Sequence, residues 1–116
     1  MRKEQAEEII CLVCDELGIK QPRIRLHSRG MRSYYYPSKK LISLSIKDHP
    51  LGITGSLIHE LAHHADYEIN RYPGRNRHPH GIRFVECLKL IAEIWYGDHA
   101  LYPWRHEYKS IAKRFS

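Results

Sequence analysis

"LIHELAHHADYEINRYPGRNRHPHG", residues 57–81, carries five of the chain's nine histidines and changes character halfway along. In and just before it, Ile53, Leu57, Ile58, Leu61, Ala65 and Ile69 recur at three- and four-residue spacing, which predicts an amphipathic helix from about residue 52 to Arg71. Pro73, Gly74 and Pro79 then interrupt any regular pattern, so "YPGRNRHP" reads as a loop. A helical period resumes near Gly81, with Phe84, Val85, Leu88, Ile91, Ala92 and Trp95 directed inward and Gly97 as its stop. Cys87, Leu90 and Ile94 make that helix apolar on further sides, which predicts a central position for it.

Inside the first of these helices, His59, Glu60 and His63 form His-Glu-x-x-His. Residues at i and i+4 differ by about 40° around a helix, so His59 and His63 project side by side toward one metal ion. Glu60 is about 100° from His59, near enough to reach a water on that ion without ligating it. The apolar stripe lies roughly opposite the histidines, which predicts one face in the core and the other on a cleft. Two imidazoles and a third protein ligand leave one position of a zinc ion open, the arrangement of a catalytic site. Zinc lowers the pKa of water in that position, and Glu60 can take its proton and pass it to a leaving amine. Asp66, one turn on, is placed to accept a hydrogen bond from a ligand imidazole. His64 points away from the metal side and is not a ligand on this reading.

The third ligand must come from later in the chain. The extended form H-E-x-x-H-x-x-G-x-x-H needs Gly at position 66 and His at 69, where this chain has Asp66 and Ile69. His78 in the loop, His80 where the loop meets the next helix, and Glu86 inside that helix all remain candidates.

The rest of the chain supplies a small sheet and two flanking helical segments. Residues 3–17 have helical periodicity and end at Gly18. "RIRLH" (23–27), "SYYYP" (33–37) and "LISLSIK" (41–47) read as three short strands. In the last, Ile42, Leu44 and Ile46 alternate with Ser43, Ser45 and Lys47, which predicts a sheet with one solvated face. Trp104, Tyr108, Ile111, Ala112 and Phe115 form a final amphipathic stripe. The expected fold class is α+β: a single domain over residues 1–116, with a helix, a small three-stranded sheet, the histidine helix, a helix led in by the third ligand, and a C-terminal helix.

Composition narrows the setting. No apolar run approaches a membrane span of roughly 18 to 20 residues, so no membrane partner is expected. The N-terminal stretch reads as an amphipathic helix rather than an export signal, which implies a cytoplasmic protein. Cys11 and Cys14 fall within a helix and read as small buried hydrophobes rather than a metal knuckle or redox pair. The net charge is +6. With Arg71, Arg75 and Arg77 around the loop, it makes DNA the candidate second partner. Nothing in the sequence speaks to oligomeric state.

"SYYYPSKKLISLS", "LIHELAHHAD" and "HGIRF" together resemble the SprT-like zinc metalloproteases, including the catalytic domain of Spartan-type DNA-dependent proteases. The resemblance runs from about Tyr34 to Leu88. It implies a compact zincin-like domain holding one Zn²⁺, with His59, His63 and His80 as ligands and Glu60 as general base and acid. Gly81 and Phe84 match the small and aromatic positions beside the third ligand. It further implies that the strand at 41–46 borders the cleft and pairs with an extended substrate backbone. The expected function is a zinc endopeptidase acting on protein or peptide substrates, DNA-associated proteins among them. The alternatives are a non-peptidase zinc hydrolase and a zinc-containing DNA-binding or adaptor module without turnover.

Overall fold

Helix α1 spans Lys3–Leu17, opened by Gln5 Oε1 accepting from the Arg2 backbone N–H at 2.8 Å and closed by Gly18 in the left-handed region at φ 67°. The amides of Gly18 and Ile19 turn back onto the carbonyls of Asp15 and Cys14, satisfying acceptors that the helix end would otherwise leave open. In this computed structural model, which describes residues 1–47, 52–71 and 80–115, the strands are β1 (Arg23–His27), β2 (Tyr34–Tyr36) and β3 (Leu41–Ser45), and the further α-helices are α2 (Ile53–Asn70), α3 (Ile82–Tyr96) and α4 (Lys109–Arg114), with short 3-10 turns at Pro37–Lys39 and His99–Leu101. The fold is α+β, as the periodicities predict.

The sheet runs in the order β1–β3–β2. β3 pairs parallel with β1, placing Ile24 opposite Ile42, and antiparallel with β2, placing Tyr35 opposite Ile42. Ile24, Ile42 and Leu44 enter the core with Ala6, Ile10 and Val13 of α1. α2 and α3 pack most extensively of all the elements, through Leu57, Ile58, Leu61 and Ala65 on one side and Phe84, Leu88 and Ile91 on the other.

Several expectations are corrected. The strand expected to pair with substrate is the central one, with both edges already occupied, so the edge beside the cleft is β2. Ser43 and Ser45 are buried rather than solvated, while Ile46 is exposed. The loop between β1 and β2 covers Ser45, whose hydroxyl donates to the Gly30 carbonyl, and the Ser45 amide donates to Ser33 Oγ at 2.9 Å. Buried hydroxyls with partners substitute for a wet face. α2 is enclosed on nearly all sides, with His59, Glu60, His64 and Asp66 buried alongside its apolar residues, so it is central together with α3. Ile69, Leu90 and Trp95 are exposed, because a periodic stripe does not reveal how far the packing partner extends. Cys14 is buried but Cys11 is exposed, its thiol 3.7 Å from Asp15 Oδ2. The C-terminal stripe is helical only in α4; Tyr102 and Trp104 reach the core from irregular chain.

That irregular segment needs Gly55. The Tyr102 hydroxyl donates to the Gly55 carbonyl at 3.2 Å, and the indole of Trp104 lies against the same turn of α2. A Cβ at position 55 would stand 2.4 Å from Trp104 Nε1. Alanine normally favours a helix interior over glycine by about 1 kcal/mol, whereas overpacking a core site costs about 1–3 kcal/mol. Gly55→Ala is therefore expected to lower stability by on the order of 1 kcal/mol, measured by urea denaturation; a gain would show that the indole yields freely.

Candidate metal centre

His59 and His63 stand on adjacent turns of α2, and His80 sits just before Gly81, the residue that opens α3. The Val85 amide donates to the Gly81 carbonyl at 3.1 Å, so the turn carrying His80 is tied into the helix that follows. The three imidazole centroids form a nearly equilateral triangle, 5.0 Å for His59–His63 and 5.1 Å for each of the other two sides. One ring nitrogen from each comes within 4.8 Å of the others.

The electrostatics of the triangle suit a cation. Burial, reinforced by the nearby His80, pushes the His59 imidazole down to about 3, and burial holds His63 well below the ordinary histidine range. Both rings are neutral at physiological pH. His59 Nε2 and His80 Nε2 are 3.2 Å apart, and at most one proton can lie between them. The three rings thus bring nitrogens within reach of a shared point, where a cation could replace the proton between His59 and His80. Three imidazole nitrogens this close together could hold a metal ion.

Aromatic residues hold this arrangement. The Phe84 ring lies against all three histidines, with centroids 4.3 Å from His63, 5.0 Å from His80 and 5.1 Å from His59. Tyr108 stacks on His80 at 4.5 Å with planes 19° apart, and Trp104 meets His59 at 5.9 Å. These last two come from the segment after α3, which the periodicity assigned only to packing. No local signal marked them, since their relation to His59 and His80 exists only after the chain returns across α2.

The histidines open onto a cleft of about 310 Å³ whose wall includes Glu60, Tyr35, Tyr67 and Tyr108. Glu60 is 7% exposed, so its carboxylate borders the cleft without being freely solvated. β2 and the residues flanking it form the opposite lip, through Arg32, Ser33, Tyr34 and Pro37.

The other expected site residues divide as follows. Asp66 is buried and accepts from Asn70 Nδ2 at 2.7 Å. It does not orient His59, whose buried Nδ1 has no hydrogen-bond partner. Glu86 is exposed and takes no part in the triangle. His78, Arg75 and Arg77 lie outside the described residues, while Arg71 ends α2 in the left-handed region at φ 61°. His64 is not a ligand, as expected, but it is fully buried and bonded on both sides. Its Nε2 donates to the Lys20 carbonyl at 2.7 Å and its Nδ1 accepts from the Tyr35 hydroxyl at 2.7 Å. A carbonyl can only accept, which fixes the proton on Nε2; burial lowers the pKa of the ring and keeps it neutral. His64 therefore joins α2 to the cleft strand and to the turn after α1.

Among the described residues, no helix is long and apolar enough to cross a membrane. Comparison with protein-family models, with curated proteins and with solved structures finds no match to this chain.

Two outcomes are expected. Metal analysis after loading with zinc should give about one ion per chain, with most of it lost in His80→Ala and retained in Glu86→Ala; the reverse pattern would reassign the third ligand. For the metal-free protein, the unfolded chain binds protons near the ordinary histidine value of 6.5 while folded His59 resists until about 3. Protons thus favour the unfolded state, so stability holds above about 6.5 and declines as pH falls toward 3. Thermal melting across that range checks the sign.

Proposed function

We propose that the chain is a zinc-dependent endopeptidase of the SprT-like kind. The observation that carries this reading is the near-buried carboxylate of Glu60 on the wall of the same cleft onto which His59, His63 and His80 converge. A site that only stabilised the fold would have no use for a base at that position.

His59, His63 and His80 would hold a zinc ion, which would supply Lewis acidity and bring the pKa of water toward neutrality. Glu60 receives the proton from the attacking water and returns it to the leaving nitrogen. Phe84 and Tyr108 keep the imidazoles in place by packing against their faces, which favours a preorganised site. Among the described residues β2 is an edge strand beside the cleft, suited to an extended peptide laid along it. That open edge favours a peptide over a small molecule.

Glu60→Gln tests the assignment. It preserves the shape of the side chain and removes the base, so zinc content should be unchanged. Cleavage of an unfolded protein such as reduced, carboxymethylated albumin should fall by roughly 10²–10⁴-fold. Full cleavage by this variant would refute the role of Glu60. If the zinc-loaded wild type cuts small esters but no polypeptide, the reading changes to a hydrolase of another substrate class. If it turns over neither, the site is not catalytic.

A further inference from the structure

The proposed chemistry leaves one buried polar group of α2 without a task. His64 directly follows His63, yet it takes no part in the histidine triangle and its ring is fully buried. A polar ring is tolerated in a core only when its nitrogens are hydrogen-bonded, and here both are. Nδ1 accepts from the Tyr35 hydroxyl and Nε2 donates to the Lys20 carbonyl, each at 2.7 Å, across 29 and 44 residues of chain. The Tyr35 ring also meets the imidazole edge-on, with centroids 5.3 Å apart and planes at 73°. One turn further along α2, Glu68 Oε1 lies 2.9 Å from Nζ of Lys40, the residue that ends the turn between β2 and β3. α2 thus holds the β2–β3 hairpin at two points, one in the strand and one at the turn.

We infer that Tyr35, anchored on His64, is a positioning residue that sets the gap between β2 and the histidine face of α2, and so how firmly an extended polypeptide is held in the cleft. The inference rests on the endopeptidase reading for its substrate. β2 is three residues long, and Tyr35 is the one that turns to the helices, while Tyr34 and Tyr36 alternate to the outer face. Pairing with β3 fixes the direction and register of β2 from one side. Its distance from α2 is set by the Tyr35–His64 bond, with Lys40 and Glu68 holding the turn beyond. Tyr35 stands on the cleft wall with His59, Glu60 and His63, so a shift of the strand changes the width of the cleft. Misplacement by about 1 Å is enough to degrade a bound geometry.

Proton placement separates this role from acid–base chemistry. The Lys20 carbonyl only accepts, so the proton of His64 is on Nε2, and Nδ1 takes the proton of the Tyr35 hydroxyl. Burial raises the Tyr35 pKa above the ordinary tyrosine range, which keeps the hydroxyl protonated and the bond in place. A hydroxyl committed in this way does not deliver a proton to a leaving amine. Without the bond, β2 samples positions of which only a fraction accept substrate, and apparent affinity falls by that fraction.

The test uses Tyr35→Phe, which keeps the ring and removes the bond, in the full, zinc-loaded chain with reduced, carboxymethylated albumin as substrate. Apparent KM should rise by about tenfold, the equivalent of one hydrogen bond. kcat should stay within about twofold, with zinc content unchanged. Ile10→Val, a core change in α1 away from the cleft, should also lower the melting temperature but leave KM as in the wild type. In fluorescence anisotropy, labelled substrate should bind Tyr35→Phe/Glu60→Gln about tenfold more weakly than Glu60→Gln alone, with no turnover needed. An unchanged KM in Tyr35→Phe, a fall confined to kcat, a loss of zinc, or an equal rise of KM in Ile10→Val overturns the inference. So does equal binding by the two Glu60→Gln chains, or no binding by either. Absence of cleavage by the wild type, with the binding difference intact, sinks the endopeptidase reading and upholds Tyr35 as positioning a bound polypeptide.

Discussion

The packing of α3 against α2 is the constraint on which the rest of the molecule depends. Phe84, in the first turn of α3, is buried against the histidine-bearing face of α2, and the same turn of chain delivers His80. Burial of the Phe84 ring stabilises the helix pair by roughly 1.5–3 kcal/mol. It also withdraws His59 and His63 from water, which lowers their pKa values and favours the neutral form. The packing that forms the core therefore also assembles the three histidines that could hold a metal ion. The energetic consequence is a set of buried nitrogens poorly satisfied by the protein alone, with His59 Nδ1 and the close approach of His59 to His80 as its visible signs.

A second long-range closure seals the other side. After α3 the chain turns back across α2, where Tyr102 bonds to the Gly55 carbonyl and Trp104 occupies the space that a side chain at position 55 would take. Four residues later Tyr108 stacks on His80. The absence of a Cβ at one helix position thus sets the approach of two aromatic residues to the histidines. This links a core-packing detail directly to the walls of the cleft.

The sheet performs two jobs because side chains alternate along a strand. Tyr35 turns inward to His64 and ties the edge strand to α2, while Tyr34 and Tyr36 turn outward among basic side chains. The parallel pairing of β1 with β3 places β3 at the centre and leaves β2 as the edge along the cleft. A slip of one residue in β2 would exchange these faces, removing the His64 bond and burying two tyrosines that have no place in the core.

Much of this was legible in the residues alone. Helical periodicity marked α1, α2 and α3 to within a residue or two, Gly18 and Gly97 marked two helix ends, and the His-Glu-x-x-His spacing put His59 and His63 on one face. These are local properties, set by backbone geometry within a few residues. His80 was distinguished from Glu86 and His78 only by resemblance, since nothing local says how a chain returns after a loop. Which strand is central, why Ser43 and Ser45 are buried, what His64 bonds, and how Trp104 and Tyr108 reach the histidines were decided by the tertiary structure. Each depends on groups far apart in sequence, and only the packing of the whole core determines which distant groups meet.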